Sequence, residues 1–425
     1  MSGKGLAERV RACVEARREP AVDLLRSLVR VPSVTEDEGA VQRLVEREMV
    51  RRGLDVDRWE ATEEELAPHA DEVGEGLLPK GRPNLLGTRR GTGSGRSLLL
   101  NAHVDTVEVG DRDAWSVEPF GGDLVGDALY GRGSCDMKGG LATFLIALDV
   151  LDDLGVRLRG DVKLAATVGE EDGGHGALST VLRGHRADAV VISEPTRLAL
   201  VPAQGGSLVF RLSVPGLAAH AAARDSGVSA FERFLPLYDA LLDLEEERNA
   251  SLSHPLYAGV ENKVPINVGR VRAGNWASTV PESLVAEVRA GLLPGESVGE
   301  FKRLLEGRLR AVSEEDDWLA ENPPELVYFG GQFSPAEVRS DAPILSALAG
   351  AHRAATGRSP AVEGVPYGSD MRHFVRTGGM DCVMYGAGDV RLAHAPDEHV
   401  SIAELLAAVA TYAHLITDWC GAEGL

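Results

Sequence analysis

Residues 97–105 read SLLLNAHVD, and this stretch decides the fold. Its apolar half is typical of a buried strand, and it ends in the polar residues His103 and Asp105. Three more apolar runs have this strand-type character and each also ends in a polar cluster. Because ligands bind beyond the carboxyl ends of strands in open α/β sheets, these clusters predict a site at one sheet edge. The three runs are DVKLAATV (Asp161–Val168), ADAVVIS (Ala187–Ser193) and CVMY (Cys382–Tyr385).

Helix-like stretches separate these runs, notably Gly140–Leu151 and Ala177–Arg183. Strands and helices that alternate at these lengths predict an α/β sheet covered on both faces. The pattern then changes to strand, helix, two strands, helix and strand, which predicts a small antiparallel sheet with helices on one face. We therefore predict a discontinuous large domain made of residues 1–203 and 333–425, with a βαββαβ domain inserted at residues 204–332.

The composition excludes several classes of protein. The 425 residues are 44% hydrophobic and 26% charged, which is typical of a soluble globular protein. A formal net charge of -21 argues against a nucleic-acid or anionic-membrane partner, and no apolar run approaches the roughly 20 residues of a membrane span. The first residues carry charges throughout and no apolar leader, so we expect a cytoplasmic protein. The scattered cysteines fit neither a disulfide framework nor a thiolate zinc site; they are Cys13, Cys135, Cys382 and Cys420.

Two of the polar clusters contain residues with metal-binding chemistry. One residue separates His103 from Asp105, so on an extended backbone the carboxylate can orient an imidazole that reaches a metal. Asp136 lies among glycines in GRGSCDMKGG, just before a helix, where a carboxylate can approach and bridge two ions. Taken alone, His103 could equally be a surface or core histidine, and Asp136 could be an N-cap.

Further acids and a histidine follow the other apolar runs. Glu170 and Glu171 come after DVKLAATVG, Glu194 follows ADAVVIS, and His394 follows CVMYG. Adjacent carboxylates repel each other unless a cation or a proton lies between them, although a solvated acidic turn is the alternative. Histidines and acids placed after successive strands form a mixed nitrogen and oxygen ligand set that suits zinc, cobalt or manganese. One metal centre explains all of these positions together.

The order HVDTV, GRGSCDMKGG, GEE, SEP, GLAAHA and HAPDE resembles the M20 family of metallopeptidases and deacylases, of the acetylornithine deacetylase and carboxypeptidase G2 type. The resemblance runs from roughly Leu25 to Ile402. It implies a mixed-sheet, zinc-peptidase-like catalytic domain for the large domain, and a lid and dimerisation domain for the insertion. It also implies a homodimer, a small-molecule substrate that bears a carboxylate, and two divalent metal ions as cofactors, with zinc first and cobalt or manganese as alternatives.

The resemblance further implies which residues bind the metals. Asp136 would be the carboxylate that bridges the two ions. Glu171 and His394 would complete one site, and His103 and Glu194 would complete the other.

The catalytic and substrate-binding residues are likewise implied by the resemblance. Asp105 would hold the ring of His103, and Glu170 would be the general base and acid. His220 in GLAAHA would act in the partner's active site as an oxyanion donor. Asn267 and Arg289 would hold the substrate carboxylate.

Some positions depart from the family pattern. Many relatives have serine where this chain has Ala221, and aspartate where it has Glu287. The segment GSDMRHF, Gly368–Phe374, replaces a commoner threonine-aspartate pattern near the substrate. These departures leave the implied chemistry intact but do not indicate one particular acyl group.

The sequence therefore predicts metal-dependent hydrolysis of the amide bond of a small N-acyl amino acid, with a dipeptidase or carboxypeptidase as the alternative on the same site. Two other classes stay open. A catalytically silent metal-binding scaffold would share the fold, and a two-metal phosphoesterase would share the ligand set. The phosphoesterase would need several basic residues near the metals to hold phosphate.

Overall fold

The structure, a computed structural model, describes residues 3–73 and 80–423. Within these residues, no helix is both long enough and apolar enough to cross a lipid bilayer. The helices are α1 (Gly3–Ala16), α2 (Arg18–Val29), α3 (Gly39–Arg51), α4 (Glu63–Leu66), α5 (Ala70–Val73), α6 (Gly139–Asp153), α7 (His175–Leu182), α8 (Ala230–Ser251), α9 (Val298–Glu314), α10 (Asp317–Glu321), α11 (Pro343–Thr356) and α12 (Ile402–Cys420).

In the described ranges, the strands form one large sheet, one four-stranded sheet and two smaller ones. In chain order they are β1 (Asp55–Trp59), β2 (Asn84–Arg89), β3 (Leu98–His103), β4 (Asp123–Val125), β5 (Ala128–Tyr130), β6 (Arg157–Leu158), β7 (Val162–Thr167), β8 (Ala189–Ile192), β9 (Leu200–Gln204), β10 (Gly206–Pro215), β11 (Ile266–Ala273), β12 (Ser283–Leu292), β13 (Glu325–Tyr328), β14 (Ala336–Glu337), β15 (Val362–Val365), β16 (Cys382–Met384), β17 (His399–Ser401) and β18 (Ala422–Glu423).

The large sheet is mixed. Its strand order is β1-β2-β7-β3-β8-β16-β9-β14, and β15 pairs with β9 outside this path. Every residue of β3 and β8 is buried, because both faces of the sheet are covered. The α/β fold predicted from the apolar runs is therefore confirmed.

Parallel pairing brings the polar clusters to one edge of the large sheet. β3 runs parallel to β7 on one side and to β8 on the other, and β16 runs parallel to β8. His103 is the last residue of β3, Glu170 follows β7, and Glu194 follows β8. Their side chains therefore start from the same end of neighbouring strands.

The four-stranded sheet lies between β9 and β14 along the chain and has its own hydrophobic core. Its order is β11-β12-β10-β13, with antiparallel pairing throughout. Alternate residues of β10 and β12, such as Phe210 and Val288, are buried against α8 and α9. Ser229 caps α8 by accepting a hydrogen bond from the Glu232 N–H. The predicted βαββαβ order is confirmed; the domain boundaries at residues 204 and 332 stay a prediction.

The two segments that connect the sheets lie side by side. Ala336 and Glu337 of β14 pair with Gln204 and Ala203 of β9. Farther along, the Ser207 N–H donates to the Phe333 carbonyl (2.7 Å) and the Phe333 N–H donates to the Ser207 carbonyl (2.8 Å). The chain therefore leaves the large sheet and returns to it through neighbouring, hydrogen-bonded segments, which we call the connector (residues 204–207 and 331–336).

Candidate metal centre

The end of β3 holds a buried histidine between two aspartates. His103 Nε2 lies 3.0 Å from Asp136 Oδ1, and its Nδ1 lies 3.0 Å from the Asp105 carbonyl oxygen. The Asp105 carboxylate is fully buried and accepts hydrogen bonds from the N–H groups of Glu170 (3.2 Å) and Glu171 (3.1 Å). Asp105 therefore joins the end of β3 to the loop after β7, and its carbonyl fixes the orientation of the imidazole.

Asp136 lies in a tight turn before α6, where its peptide bond to Met137 is cis. The N–H groups of Cys135 and Asp136 donate to Glu398 Oε1 at 3.0 and 3.1 Å. Glu398 Oε2 accepts from Arg132 Nη1 at 2.6 Å, and both of these charged residues are buried. Arg132 and Glu398 lie inside the GRGSCDMKGG and HAPDE motifs, but the sequence alone indicates no role for either of them. Together they hold the turn of Asp136 against the segment of His394.

His394 contacts the other oxygen of Asp136 and the neighbouring Glu171. Its Nε2 lies 3.0 Å from Glu171 Oε1 and 3.5 Å from Asp136 Oδ2. Asp136 thus presents one oxygen to His103 and the other to His394. Ligand atoms of His103, Asp136 and Glu171 lie within 4.8 Å of one another. This arrangement lets one carboxylate serve two ions.

The electrostatics of the cluster indicate that it needs positive charge. Burial raises the pKa of Glu170 well above its usual value, and nearby carboxylates raise it further. Burial also raises the pKa of Glu194 well above its usual value, and the negative charge of Asp136 raises it further. Burial also raises the pKa of Asp370 to about 7. Several buried carboxylates are costly side by side unless cations offset their charge. Two imidazoles with carboxylate oxygens are the donors that zinc, cobalt and manganese accept, so the residues fit two divalent ions.

The other three predicted site residues belong to the four-stranded sheet and its loops. His220 is exposed, and its Nδ1 accepts the N–H of Ala222 at 3.1 Å. Asn267 and Arg289 face each other across β11 and β12. Among the residues that the structure describes, no hydrogen bond or ion pair joins these three side chains to the metal cluster. Their predicted roles therefore stay predictions.

The comparison with family models decides the membership of the chain. The model of peptidase family M20/M25/M40 matches residues 99–418, which include all of the clusters described above. The chain belongs to the M20 family. As a member of this family, it is a metal-dependent amidohydrolase.

The M20 relatives include deacylases. The chain is 27% identical to N-formyl-4-amino-5-aminomethyl-2-methylpyrimidine deformylase of Bacillus subtilis (strain 168), over 96% of this chain and 96% of the relative. It is 32% identical to succinyl-diaminopimelate desuccinylase of Gluconacetobacter diazotrophicus, over 95% and 97%. The solved structure of the dipeptidase Dug1p from Saccharomyces cerevisiae shares the fold, with a TM-score of 0.78, 14% identity, and coverage of 99% of each chain.

Proposed function

We propose that this M20 enzyme hydrolyses the amide bond of a small N-acyl amino acid, with two divalent metal ions and Glu170 as the general base. One observation carries the proposal: Asp136 directs its two oxygens to two different histidines, and Glu170 lies in the loop beside it. In the described part of the chain, the Glu170 carboxylate makes no hydrogen bond or ion pair. It is therefore free to meet water and substrate.

The metal ligands in this proposal are the ones that the resemblance to the M20 family implies. Asp136 would be shared by the two ions, Glu171 and His394 would hold one of them, and His103 and Glu194 would hold the other. Zinc is the first choice, and cobalt or manganese suits the same donors. The bound ions would supply polarisation of the scissile carbonyl and a lowered pKa for water.

The remaining chemistry falls to the residues of the chain. Glu170 takes a proton from the attacking water and delivers it to the leaving nitrogen, so the amide bond breaks and an acid and an amine form. Asp105 keeps the His103 ring in one orientation. His220 donates to the oxyanion as the carbonyl becomes tetrahedral.

Arg289 is the proposed partner of a substrate carboxylate. Its neighbours Val288 and Ala290 are buried toward α8 and α9, so the alternation of the strand directs Arg289 to the opposite face. It is half-buried, and it makes no ion pair or hydrogen bond with any residue that the structure describes. Burial lowers the pKa of its guanidinium. A partly buried cation without a protein partner favours an anionic ligand, and Asn267 lies opposite it to add an amide.

We expect Arg289→Ala to lower kcat/KM for the acid by about 10–100-fold, the value of a lost charged hydrogen bond. The matching carboxamide should be hydrolysed equally well by variant and wild type, because it never used the contact. Steady-state kinetics on both substrates measures this. Arg270→Ala is the matched control, since Arg270 lies on the same strand pair but is bound to Glu287. If wild type hydrolyses acid and carboxamide equally well, Arg289 does not select a carboxylate.

If the substrate carboxylate proves unimportant, a second candidate function gains support. Two relatives are deformylases named for an N-formyl aminopyrimidine, and this supports deformylation of a small amine as the alternative to an N-acyl amino acid. A screen of N-formyl, N-acetyl, N-succinyl and N-carbamoyl compounds and dipeptides, each with zinc, cobalt and manganese, separates these candidates. Dipeptides as the best substrates would favour the peptidase alternative.

The surroundings of the centre do not favour a phosphoesterase. Lys138 is buried next to the turn of Asp136, but its ammonium donates to the carbonyls of Leu28 (3.1 Å) and Val31 (3.0 Å). Arg132 is bound to Glu398. Both cations therefore already have partners within the protein. Nitrophenyl phosphate in the same screen tests this directly.

A homodimer through the four-stranded sheet is part of the proposal. β11 is an edge strand of this sheet, and residues of its second half are exposed. Val271 is 45% exposed and Trp276, which follows shortly after this strand, is 72% exposed, so apolar side chains are available beside this edge. An edge strand with unpaired backbone groups is suited to pairing with a second copy.

If His220 acts in the partner's site, mixing two inactive variants should restore activity. We expect Glu170→Gln and His220→Ala chains, after subunit exchange, to reach about a quarter of the wild-type rate, the statistical share of sites that are complete in a symmetric dimer. In a mixed dimer, the His220→Ala chain keeps its own Glu170 and receives the intact His220 of the Glu170→Gln chain, so one of the two sites is complete. Verified exchange without recovery would place His220 in its own chain's site or outside the chemistry.

A further inference from the structure

Arg372 is a fully buried arginine in the segment Gly368–Phe374, to which the chemistry above assigns no role. Its Nη2 donates to the Gly173 carbonyl at 2.7 Å, and its Nη1 donates to the Ser369 carbonyl at 2.8 Å. Its guanidinium carbon lies 3.7 Å from the centre of the Phe333 ring. It makes no ion pair with any residue in the described ranges. One guanidinium therefore joins three separate segments of the chain.

The first of these segments is the loop of residues 169–174, which carries Glu170. Within this loop the Gly173 N–H donates to the Glu170 carbonyl (3.2 Å), and the Gly174 N–H donates to the Gly169 carbonyl (2.6 Å). Gly173 is thus bound to Glu170 through its N–H and to Arg372 through its carbonyl. A displacement of the guanidinium would act directly on the backbone of the general base.

The loop is also closely packed on that side. A Cβ added to Gly174, whose φ is +72°, would lie 2.6 Å from Asp370 Oδ1 and 2.7 Å from His373 Nε2. Glycine is required here both by the backbone conformation and by the close approach. The segment of Arg372 therefore forms a rigid support behind the loop.

The other contacts of this segment lead to the connector. Phe333, whose ring covers Arg372, exchanges backbone hydrogen bonds with Ser207. The Ser369 hydroxyl and N–H donate to Gln204 Oε1 at 2.5 and 3.1 Å. Both halves of the connector thus contact the turn that holds the guanidinium.

We propose that Arg372 is a positioning residue for Glu170, and that Phe333 couples this position to the connector between the two sheets. A buried cation without an ion pair is a costly way to fill space. What the guanidinium adds over an apolar side chain is two directed hydrogen bonds in a fixed plane. The inference rests on the proposed function, in which Glu170 is the general base.

The test compares Arg372→Lys and Phe333→Leu with wild type. Lysine keeps the charge but loses the planar fork, and leucine removes the ring that orients it. We expect each to lower kcat by about 10–100-fold, the scale of a small misplacement of a catalytic group, while KM and metal content stay within about twofold. Hydrogen exchange of the amides in residues 169–174 should become faster in the metal-free and metal-loaded protein alike. Arg376→Lys, at an exposed position two residues after this segment, is the control.

Two results would overturn the proposal. Unchanged kcat and unchanged exchange in folded variants would show that the loop does not depend on Arg372. A raised KM with an unchanged kcat would place Arg372 in substrate binding instead. If Arg372→Lys does not fold, Phe333→Leu decides alone, because it leaves both hydrogen bonds possible. Full activity of Glu170→Gln would refute the proposed general base, whereas the exchange measurement would still report whether Arg372 holds the loop.

Discussion

Glu170→Gln should lower kcat by a factor of about 10²–10⁴, the usual contribution of a general acid and base. The amide has nearly the same shape as the carboxylate, but it cannot take up the proton of the attacking water. The variant should still bind two metal ions per chain, because Glu170 is not among the proposed ligands. Steady-state kinetics together with metal analysis of the purified protein measures both quantities.

The neighbouring residue offers a matched control for this experiment. Glu171→Gln changes the same group one position along the same loop, and the Glu171 carboxylate contacts His394. This variant should lose metal as well as activity, since an amide is a weaker ligand than a carboxylate. If Glu170→Gln loses an ion and Glu171→Gln does not, the roles of the two glutamates are exchanged.

Asp136→Ala should lose both metal ions and, with them, all detectable turnover. The reason is geometric: the two carboxylate oxygens face His103 and His394, so both halves of the centre depend on one side chain. Metal titration followed by mass spectrometry of the native protein gives the stoichiometry.

Asp172→Ala is a suitable control for this loss. Asp172 lies in the same acidic loop as Glu170 but faces Arg82 and His175 rather than the metal cluster. The Asp172→Ala protein should therefore keep both metal ions. An Asp136→Ala protein that still binds one ion tightly would mean that Asp136 belongs to one site and does not bridge.

The sequence could predict those parts of the fold and the site that depend on local pattern. Continuous apolar runs predict buried strands, and polar residues directly after them meet at one sheet edge because β3, β7 and β8 are parallel. This is why the sequence could group His103, Glu171 and Glu194, whereas Asp136 lies in the turn before α6 and is indicated only by its setting among glycines. The family and the α/β fold are confirmed, while the roles of Glu170, His220 and Arg289 stay predictions.

The residues that sequence reasoning missed depend on contacts between distant segments. Arg132 and Glu398 form a buried ion pair although they lie 266 residues apart in the chain, and nothing near either residue in the sequence indicates its partner. Arg372 occurs in an irregular polar stretch, where an arginine is expected to be exposed. Only the tertiary fold reveals that Phe333 and Gly173 enclose it. Pairings of this kind need coordinates, because local pattern has no information about them.

The parallel pairing of β8 with β16 has a consequence for biosynthesis. Ala189–Ile192 bind Cys382–Met384, so the interior of the large sheet is completed by residues that the ribosome makes late. His394 and Glu398 follow later still. The nascent chain therefore exposes an unpaired strand edge while the intervening residues are translated, and closing so long a loop is slow. The four-stranded sheet, whose strands lie within one continuous stretch, can form first. With the proposed ligands, the metal centre can be completed only after His394 has been made, and chains that end before β16 will be prone to aggregation.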